Sequence, residues 1–160
     1  MSFAYGWTDG SNGRSRGPAG AAAYVLADEA SREVIEERAV LYPHTDEYRF
    51  TNNDMEMEAV HLLLGAAVRC GVTDLKIHCD SEWVVKILRE EYSLRNEKFR
   101  SLVNAIYELA EMLDFVEIVH VRREENKRAD WHCSKATDQS RARKSGPPLL
   151  SWPQTGVAAP

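Results

Sequence analysis

The chain has 160 residues, 44% of them apolar and 28% charged, with a formal net charge of −5. One globular domain accounts for that, and a chain of this length buries about 70% of its unfolded surface, so its core needs no disulfide or metal staple. A disordered chain, a membrane span of about 18–20 apolar residues, and attachment to nucleic acid by bulk positive charge are all disfavoured.

Residues 3–9 alternate large and small side chains, Phe3, Tyr5 and Trp7 against Ala4, Gly6 and Thr8, the period of two that marks a strand. Residues 10–20 are turn chemistry, rich in glycine. Residues 21–27 and 33–41 read as two more strands joined by the polar link 28–32, which predicts an antiparallel meander. After a loop over 42–50, Thr51, Asn52 and Asn53 offer helix caps, and Asp54 and Glu56 supply acids to the first turns. The helix runs to about Cys70 and stops at Gly71. Its apolar residues, among them Met55, Ala59, Val60, Leu63, Leu64 and Ala67, nearly encircle it and predict a buried central helix.

Residues 74–79 read as a fourth strand, and Asp80-Ser81 cap a short helix through about Arg89. Residues 95–113 carry the stripe Phe99, Leu102, Val103, Ile106, Leu109, Ala110 and Leu113, the pattern of a second long helix. Residues 115–121 form a fifth strand, and a polar loop leads to a last helix over 127–142. The fold class is therefore α/β: a five-stranded mixed sheet, three antiparallel strands then parallel crossovers, with helices on both faces. Residues 1–143 make up the domain. Residues 144–160 carry four of the six prolines and read as an extended or disordered tail, whose Leu149, Leu150 and Trp152 can dock on the domain.

Four carboxylates stand at element ends: Asp9 after the first strand, Glu56 early in the central helix, Asp80 after the fourth strand, and Asp130 near the start of the last helix. Sheet topology can gather such positions. Converged carboxylates repel unless cations neutralise them, and an oxygen-only ligand set suits Mg²⁺ or Mn²⁺. Two such ions stabilise the attacking and leaving oxygens of a phosphoryl displacement. Taken singly, each acid is better explained as a helix cap or surface charge. The local sequence around each is what singles these four out.

Thr8-Asp9-Gly10-Ser11 resembles the TDGS opening of type 1 ribonucleases H. Thr51-Asn52-Asn53-Asp54-Met55-Glu56 resembles that family's TNNxxE, Cys79-Asp80-Ser81-Glu82-Trp83-Val84 its D-S-x-x-V block, and Asn126-Lys127-Arg128-Ala129-Asp130 its N-x-x-A-D block. The motifs stand in family order over residues 3–140. The resemblance implies a ribonuclease H-like fold and hydrolysis of the RNA strand of RNA–DNA hybrids by two divalent ions, Mg²⁺ with Mn²⁺ as substitute, leaving 5′-phosphate and 3′-hydroxyl ends; the alternatives are a nuclease of the same fold acting on another nucleic acid and a non-catalytic hybrid-binding module. It assigns metal ligation to Asp9, Glu56, Asp80 and Asp130. Glu58, two positions on and about 200° round the helix from Glu56, points elsewhere. Asp54 reads as a first-turn acid favoured by the helix dipole.

A hybrid nuclease reads the 2′-hydroxyl. Gly10 lets backbone approach a minor groove, and Ser11, Asn12, Asn52 and Asn53 offer hydroxyl and amide contacts. The resemblance implies substrate contacts by Thr51, Asn52 and Asn53, with Thr51 on a DNA phosphate, although these residues also suit a helix cap. Arg14, Arg16, Arg122, Arg123, Lys127 and Arg128 offer local positive charge for phosphates, although a solvated loop with scattered charges accounts for each of them equally well. Residues 90–96 are short and not basic, so the chain is closer to short archaeal-like members without a basic handle, and weaker or more salt-sensitive binding follows. Arg123 is the preferred functional residue of the last loop, and His120 reads as a strand histidine.

A zinc site sketched from His78-Cys79 and His132-Cys133 lacks the usual ligand spacings. Gly13 to Gly20 lacks the ending of a P-loop. Three scattered cysteines suit a reducing compartment, and the N-terminus shows no secretory leader. A cytoplasmic monomer with no membrane association is expected.

Overall fold

The first three strands, β1 (Phe3–Ser11), β2 (Ala19–Asp28) and β3 (Val34–Pro43), form the expected meander, and β1 also pairs in parallel with β4 (Asp74–Cys79). β5 (Phe115–His120) adds in parallel beyond β4, giving the order β3-β2-β1-β4-β5. The computed structural model describes residues 2–13 and 17–142; the expected tail over 144–160, and Arg14 and Arg16, lie outside the described residues. Helix α1 (Asn52–Arg69) follows β3, α2 (Glu82–Leu88) follows β4, α3 (Arg100–Ala110) precedes β5, and α4 (Lys127–Ala142) closes the order. No helix among the described residues is long and apolar enough to cross a membrane.

Strand pairing extends beyond the predicted ends. Gly10 and Ser11, read as turn residues, pair with Ala22 and Ala21 and lengthen β1. The helix expected over 95–113 is shorter. Asn96 caps a 3₁₀ turn at Glu97–Phe99, α3 begins at Arg100, and its end tightens into the bonds Met112 N–H to Leu109 O and Leu113 N–H to Ala110 O, at 3.0 and 3.1 Å. Apolar spacing of three and four does not distinguish an α-turn from a 3₁₀ turn.

Local chemistry sets the start and end of α1. Thr51 is its N-cap: the Thr51 hydroxyl accepts from Asp54 N–H at 3.1 Å, and the Asp54 carboxylate accepts from Thr51 N–H at 2.7 Å, a reciprocal capping box. Gly71, with φ of +72°, ends it. α1 then packs on the sheet through Met57, Val60, Leu63, Leu64 and Ala67, all buried with Tyr24, Leu26, Leu75 and Ile77.

β2 is buried on both faces. Tyr24 and Leu26 join the α1 core, while Ala21 and Ala23 face α4, where they pack with Ala39, Cys133 and Ala136. Small alanines let α4 lie close to the sheet. Helices therefore cover both faces, α1 on one and α4 on the other.

β3 contributes two adjacent buried glutamates to these opposite faces. Glu36 points to the α1 side, where it accepts from the Tyr24 hydroxyl and, at 2.9 Å, from Arg69 Nη2. Glu37 points to the α4 side, where it meets Arg128 and His132. Burying a carboxylate is costly unless it is paired and hydrogen-bonded, and both are.

Candidate metal centre and adjoining cleft

β1 and β4 run side by side with Thr8 opposite Cys79, so the following residues, Asp9 and Asp80, emerge together at one end of the sheet. α1 brings Glu56 to the same place. A Cβ built on Gly10 would lie 2.3 Å from both Glu56 N and the Met55 carbonyl carbon, so only glycine lets β1 and the first turns of α1 come this close. The carboxylate oxygens available from Asp9, Glu56 and Asp80 all lie within 4.8 Å of one another. Asp130, in the first turn of α4, lines the same cleft, and its charge acts on Asp9. Asn126, just before α4 and buried, donates from Nδ2 to the Thr8 carbonyl at 2.7 Å. That bond ties the start of α4 to the residue preceding Asp9.

The cluster concentrates negative charge. Burial is the largest cause raising the Asp9 carboxyl far above the usual carboxylate range, and the charges of Asp80 and Asp130 push it further. Glu56 is raised still more, first by burial and then by the charges of Asp9 and Asp80. One oxygen of Glu56, Oε2, is buried without a hydrogen-bond partner. An all-oxygen donor set, an unpartnered buried carboxylate oxygen and mutual repulsion are what a hard divalent cation relieves, so these residues fit Mg²⁺ or Mn²⁺.

Around the acids the cleft encloses ≈ 410 Å³ and is lined in part by Gly10, Ser11, Asn12, Asn52, Asn53 and Arg123. Asn12 N–H donates to Asn52 Oδ1 at 2.7 Å, joining the loop after β1 to the start of α1. A larger cleft of ≈ 630 Å³, walled by Trp83, Tyr92, Asn96 and Phe99, also includes Asn53, so the two meet there.

Of the residues expected at the site, Asp9, Glu56, Asp80, Asp130, Arg123, Gly10, Ser11, Asn12, Asn52 and Asn53 come together on one cleft. Thr51 is exposed at the cap of α1, its hydroxyl engaged with Asp54, and does not line it. Glu58 turns away and pairs with His61 at 2.7 Å. His120 is the last residue of β5, with Nε2 3.3 Å from the Asp80 carbonyl oxygen. Arg128, read as a phosphate contact, instead turns inward to Glu37.

The zinc sketch finds no support. The only group of metal-competent side chains among the described residues is the acidic one, and burial raises the thiols of Cys79 and Cys133. Sequence reasoning gave no role to Asn126, although it stands in the quoted N-x-x-A-D block. It read Ser81 only as a helix cap, which it is, and passed over Ser134; both line the cleft, and their signal was adjacency to Asp80 and a one-turn offset from Asp130.

A mixed sheet in this order, with acids converging at the ends of β1 and β4, defines a ribonuclease H-like domain. The chain belongs to the reverse transcriptase-like family, whose model matches residues 8–136. It is similar in structure to RNase H1 from the halophilic archaeon Halobacterium salinarum NRC-1, with a TM-score of 0.77 and 27% identity over 86% of this chain and 98% of that one. The N-terminal RNase H domain of a Mycobacterium tuberculosis protein shares the fold, with a TM-score of 0.81 and 21% identity over 91% of this chain and 100% of that one. So does LC11-RNase H1, isolated from compost by a metagenomic approach and solved in complex with an RNA/DNA hybrid, with a TM-score of 0.73 and 22% identity over 85% and 97% of the two chains. No curated protein gives a significant match. The resemblance carried by the four motifs holds: the structural neighbours are type 1 RNase H1 enzymes, an archaeal one among them.

Proposed function

We propose that the protein is an endoribonuclease that hydrolyses the RNA strand of RNA–DNA hybrids, leaving 5′-phosphate and 3′-hydroxyl ends. The observation that carries this reading is the meeting of Asp9, Glu56 and Asp80 within 4.8 Å in a cleft that also holds Asp130. These four would hold two Mg²⁺ ions, or Mn²⁺ in their place, which supply Lewis-acid stabilisation of the attacking and leaving oxygens. The protein's own part is positional. Gly10 keeps β1 against α1, and Asn126 fixes α4 beside Asp9.

Substrate selection falls to the polar rim. Gly10, Ser11, Asn12, Asn52 and Asn53 offer backbone, hydroxyl and amide groups for the 2′-hydroxyl and base edges of a minor groove. Thr51 at the exposed cap meets a phosphate of the DNA strand, and Arg123 sets positive charge against a backbone phosphate near the acids. The second cleft, which meets the first at Asn53, gives the other strand of a duplex room to pass. Residues 1–143 form the catalytic unit, acting as a monomer in the cytoplasm. Support for a hybrid substrate comes from the solved complex of LC11-RNase H1 with an RNA/DNA hybrid.

The test is cleavage of labelled RNA–DNA hybrid, duplex RNA and duplex DNA with Mg²⁺, with the ends of the products identified. Cutting of the hybrid's RNA strand alone, lost on chelation, is the expected result. Equal cutting of duplex DNA, or no cutting of any substrate, would overturn the reading.

A further inference from the structure

We infer that His44 is a positioning residue that sets the substrate-reading rim, a role that rests on the hybrid substrate proposed above. His44 lies just beyond β3 and does not line the acidic cleft. Its imidazole nevertheless joins the two loops that form the cleft's polar wall. On one side Nε2 lies 2.9 Å from the Asn12 carbonyl oxygen. On the other, Phe50 N–H donates to Nδ1 at 3.0 Å.

The partners fix the ring's chemistry. A backbone N–H can only donate, so Nδ1 is the acceptor and carries no proton. A carbonyl oxygen can only accept, so Nε2 carries the proton. The neutral Nε2–H form satisfies both contacts at once.

These bonds close a circuit. Asn12 C=O is held by His44, and Asn12 N–H by Asn52 Oδ1 at 2.7 Å. Two residues before Asn52, Phe50 N–H returns to the same imidazole. Both backbone polar groups of Asn12 are thereby fixed relative to the start of α1. Two further bonds brace the same pair of segments: His44 N–H to Pro18 O at 2.9 Å, and Arg49 Nη2 to Gly17 O at 3.0 Å. Asn12 and Asn52 both line the cleft, so the circuit sets the spacing between two of the groups that face substrate. None of its bonds involves the four carboxylates. Loosening it therefore acts on recognition and leaves the metal cluster in place.

Three variants separate the two ring contacts. His44→Ala removes both. His44→Gln keeps a donor with the reach of Nε2 toward Asn12. His44→Asn keeps an acceptor near the Nδ1 position but cannot reach Asn12. Affinity for a labelled RNA–DNA hybrid is measured by fluorescence anisotropy in Ca²⁺, kcat and KM in Mg²⁺, and Tm for each protein.

The expected result for His44→Ala is a rise of about tenfold in Kd and KM, the loss that one hydrogen bond of this kind entails, with kcat within about twofold and an unchanged Mg²⁺ dependence. His44→Gln recovers most of the affinity, and His44→Asn does not. Nitrogen-detected NMR of the wild-type imidazole shows the proton on Nε2.

The assignment is overturned if His44→Ala binds like the wild type, if kcat falls while KM holds, if Gln and Asn lose affinity equally and in step with Tm, or if the proton sits on Nδ1. Wild-type protein that neither binds nor cuts the hybrid removes the proposed function along with it. Normal wild-type binding with unaltered variants removes only the role of His44.

Discussion

Arg128 grips the buried carboxylate of Glu37 with two hydrogen bonds, Nε to Oε2 at 2.6 Å and Nη2 to Oε1 at 3.0 Å. His132 Nε2 lies 3.2 Å from the same Oε2. These two α4 residues stand two positions either side of Asp130, so β3 fastens the turn that presents this acid. Burial alone would raise the Glu37 carboxyl, but the contacts from Arg128 and His132 outweigh it and hold the carboxyl below its ordinary range. Glu37→Leu should cost about 1–3 kcal/mol, because Arg128 loses both its hydrogen bonds and His132 the carboxylate 3.2 Å away. Thermal unfolding reads that loss, and kcat should fall with it as α4 shifts. A variant with wild-type Tm and kcat would show that the clamp has no part in holding Asp130.

Asp9→Asn should abolish cleavage and at the same time stabilise the metal-free protein near neutral pH. Burial and neighbouring charge raise the folded-state carboxyl well above its unfolded value. A carboxyl raised in this way destabilises the fold once the pH exceeds the unfolded value, and the penalty disappears as the pH falls below it. The gain from Asp9→Asn should be on the order of a few kcal/mol at neutral pH and shrink toward zero as the pH drops to about 4. Unfolding curves of both proteins in chelator across pH measure it. Added Mg²⁺ or Mn²⁺ should raise the Tm of the wild type and not that of the variant.

Gly10→Ala should be severe for its size. The new methyl would meet backbone atoms of Met55 and Glu56 at 2.3 Å, and backbone cannot swing aside as a side chain can. Overpacking of this kind costs about 1–3 kcal/mol, and displacement of α1 from β1 opens the Asp9–Glu56 contact. Tm and Mn²⁺ affinity should fall together.

Arg123→Ala should reduce kcat/KM more than His120→Ala. Arg123 lines the acidic cleft, whereas His120 sits at the end of β5 against the Asp80 backbone carbonyl. Side-by-side kinetics of the two folded variants decide the matter, and a larger loss at His120 would reverse the assignment.

Hybrid binding should be weak and only moderately salt-dependent. The chain carries a formal net charge of −5, and the segment between α2 and the turn at Glu97–Phe99 brings no basic run. With few phosphate contacts, affinity should fall by about tenfold to a hundredfold between about 50 and about 200 mM salt. Anisotropy titrations across that range would reveal a flat response if this account of the interface is wrong.

Much of the architecture was legible because local signals were redundant. The Thr51 cap, the Gly71 stop and the apolar residues between them all pointed to one helix, and the structure has it. Strand ends were read short because Gly10, Ser11 and Gly20 look like turn residues until a partner strand is present. Their place in the ladder depends on nonlocal pairing. The acids could be gathered only through the resemblance, since no periodicity relates Asp9 to Asp80 or Asp130. Arg128 was misread for a similar reason. Its charge suggests solvent or phosphate, and its actual partner, Glu37, lies 91 residues away in sequence. Burial of Glu36 and Glu37 was equally hidden, because a Glu-Glu-Arg run in a strand looks like a solvated edge.

β3 lies at the margin of the sheet, with a neighbour on one side only. Yet its consecutive glutamates reach through to both layers, one toward the far end of α1 and the other toward α4. The outermost strand thus works as a two-sided clasp for the helices that deliver Glu56 and Asp130. Peeling that strand away, whether by a local fluctuation or by an added strand competing for its backbone, would release both helices in a single event. Persistence of the ion pocket is in that sense governed at the rim of the molecule, far along the chain from the oxygens that would do the chemistry.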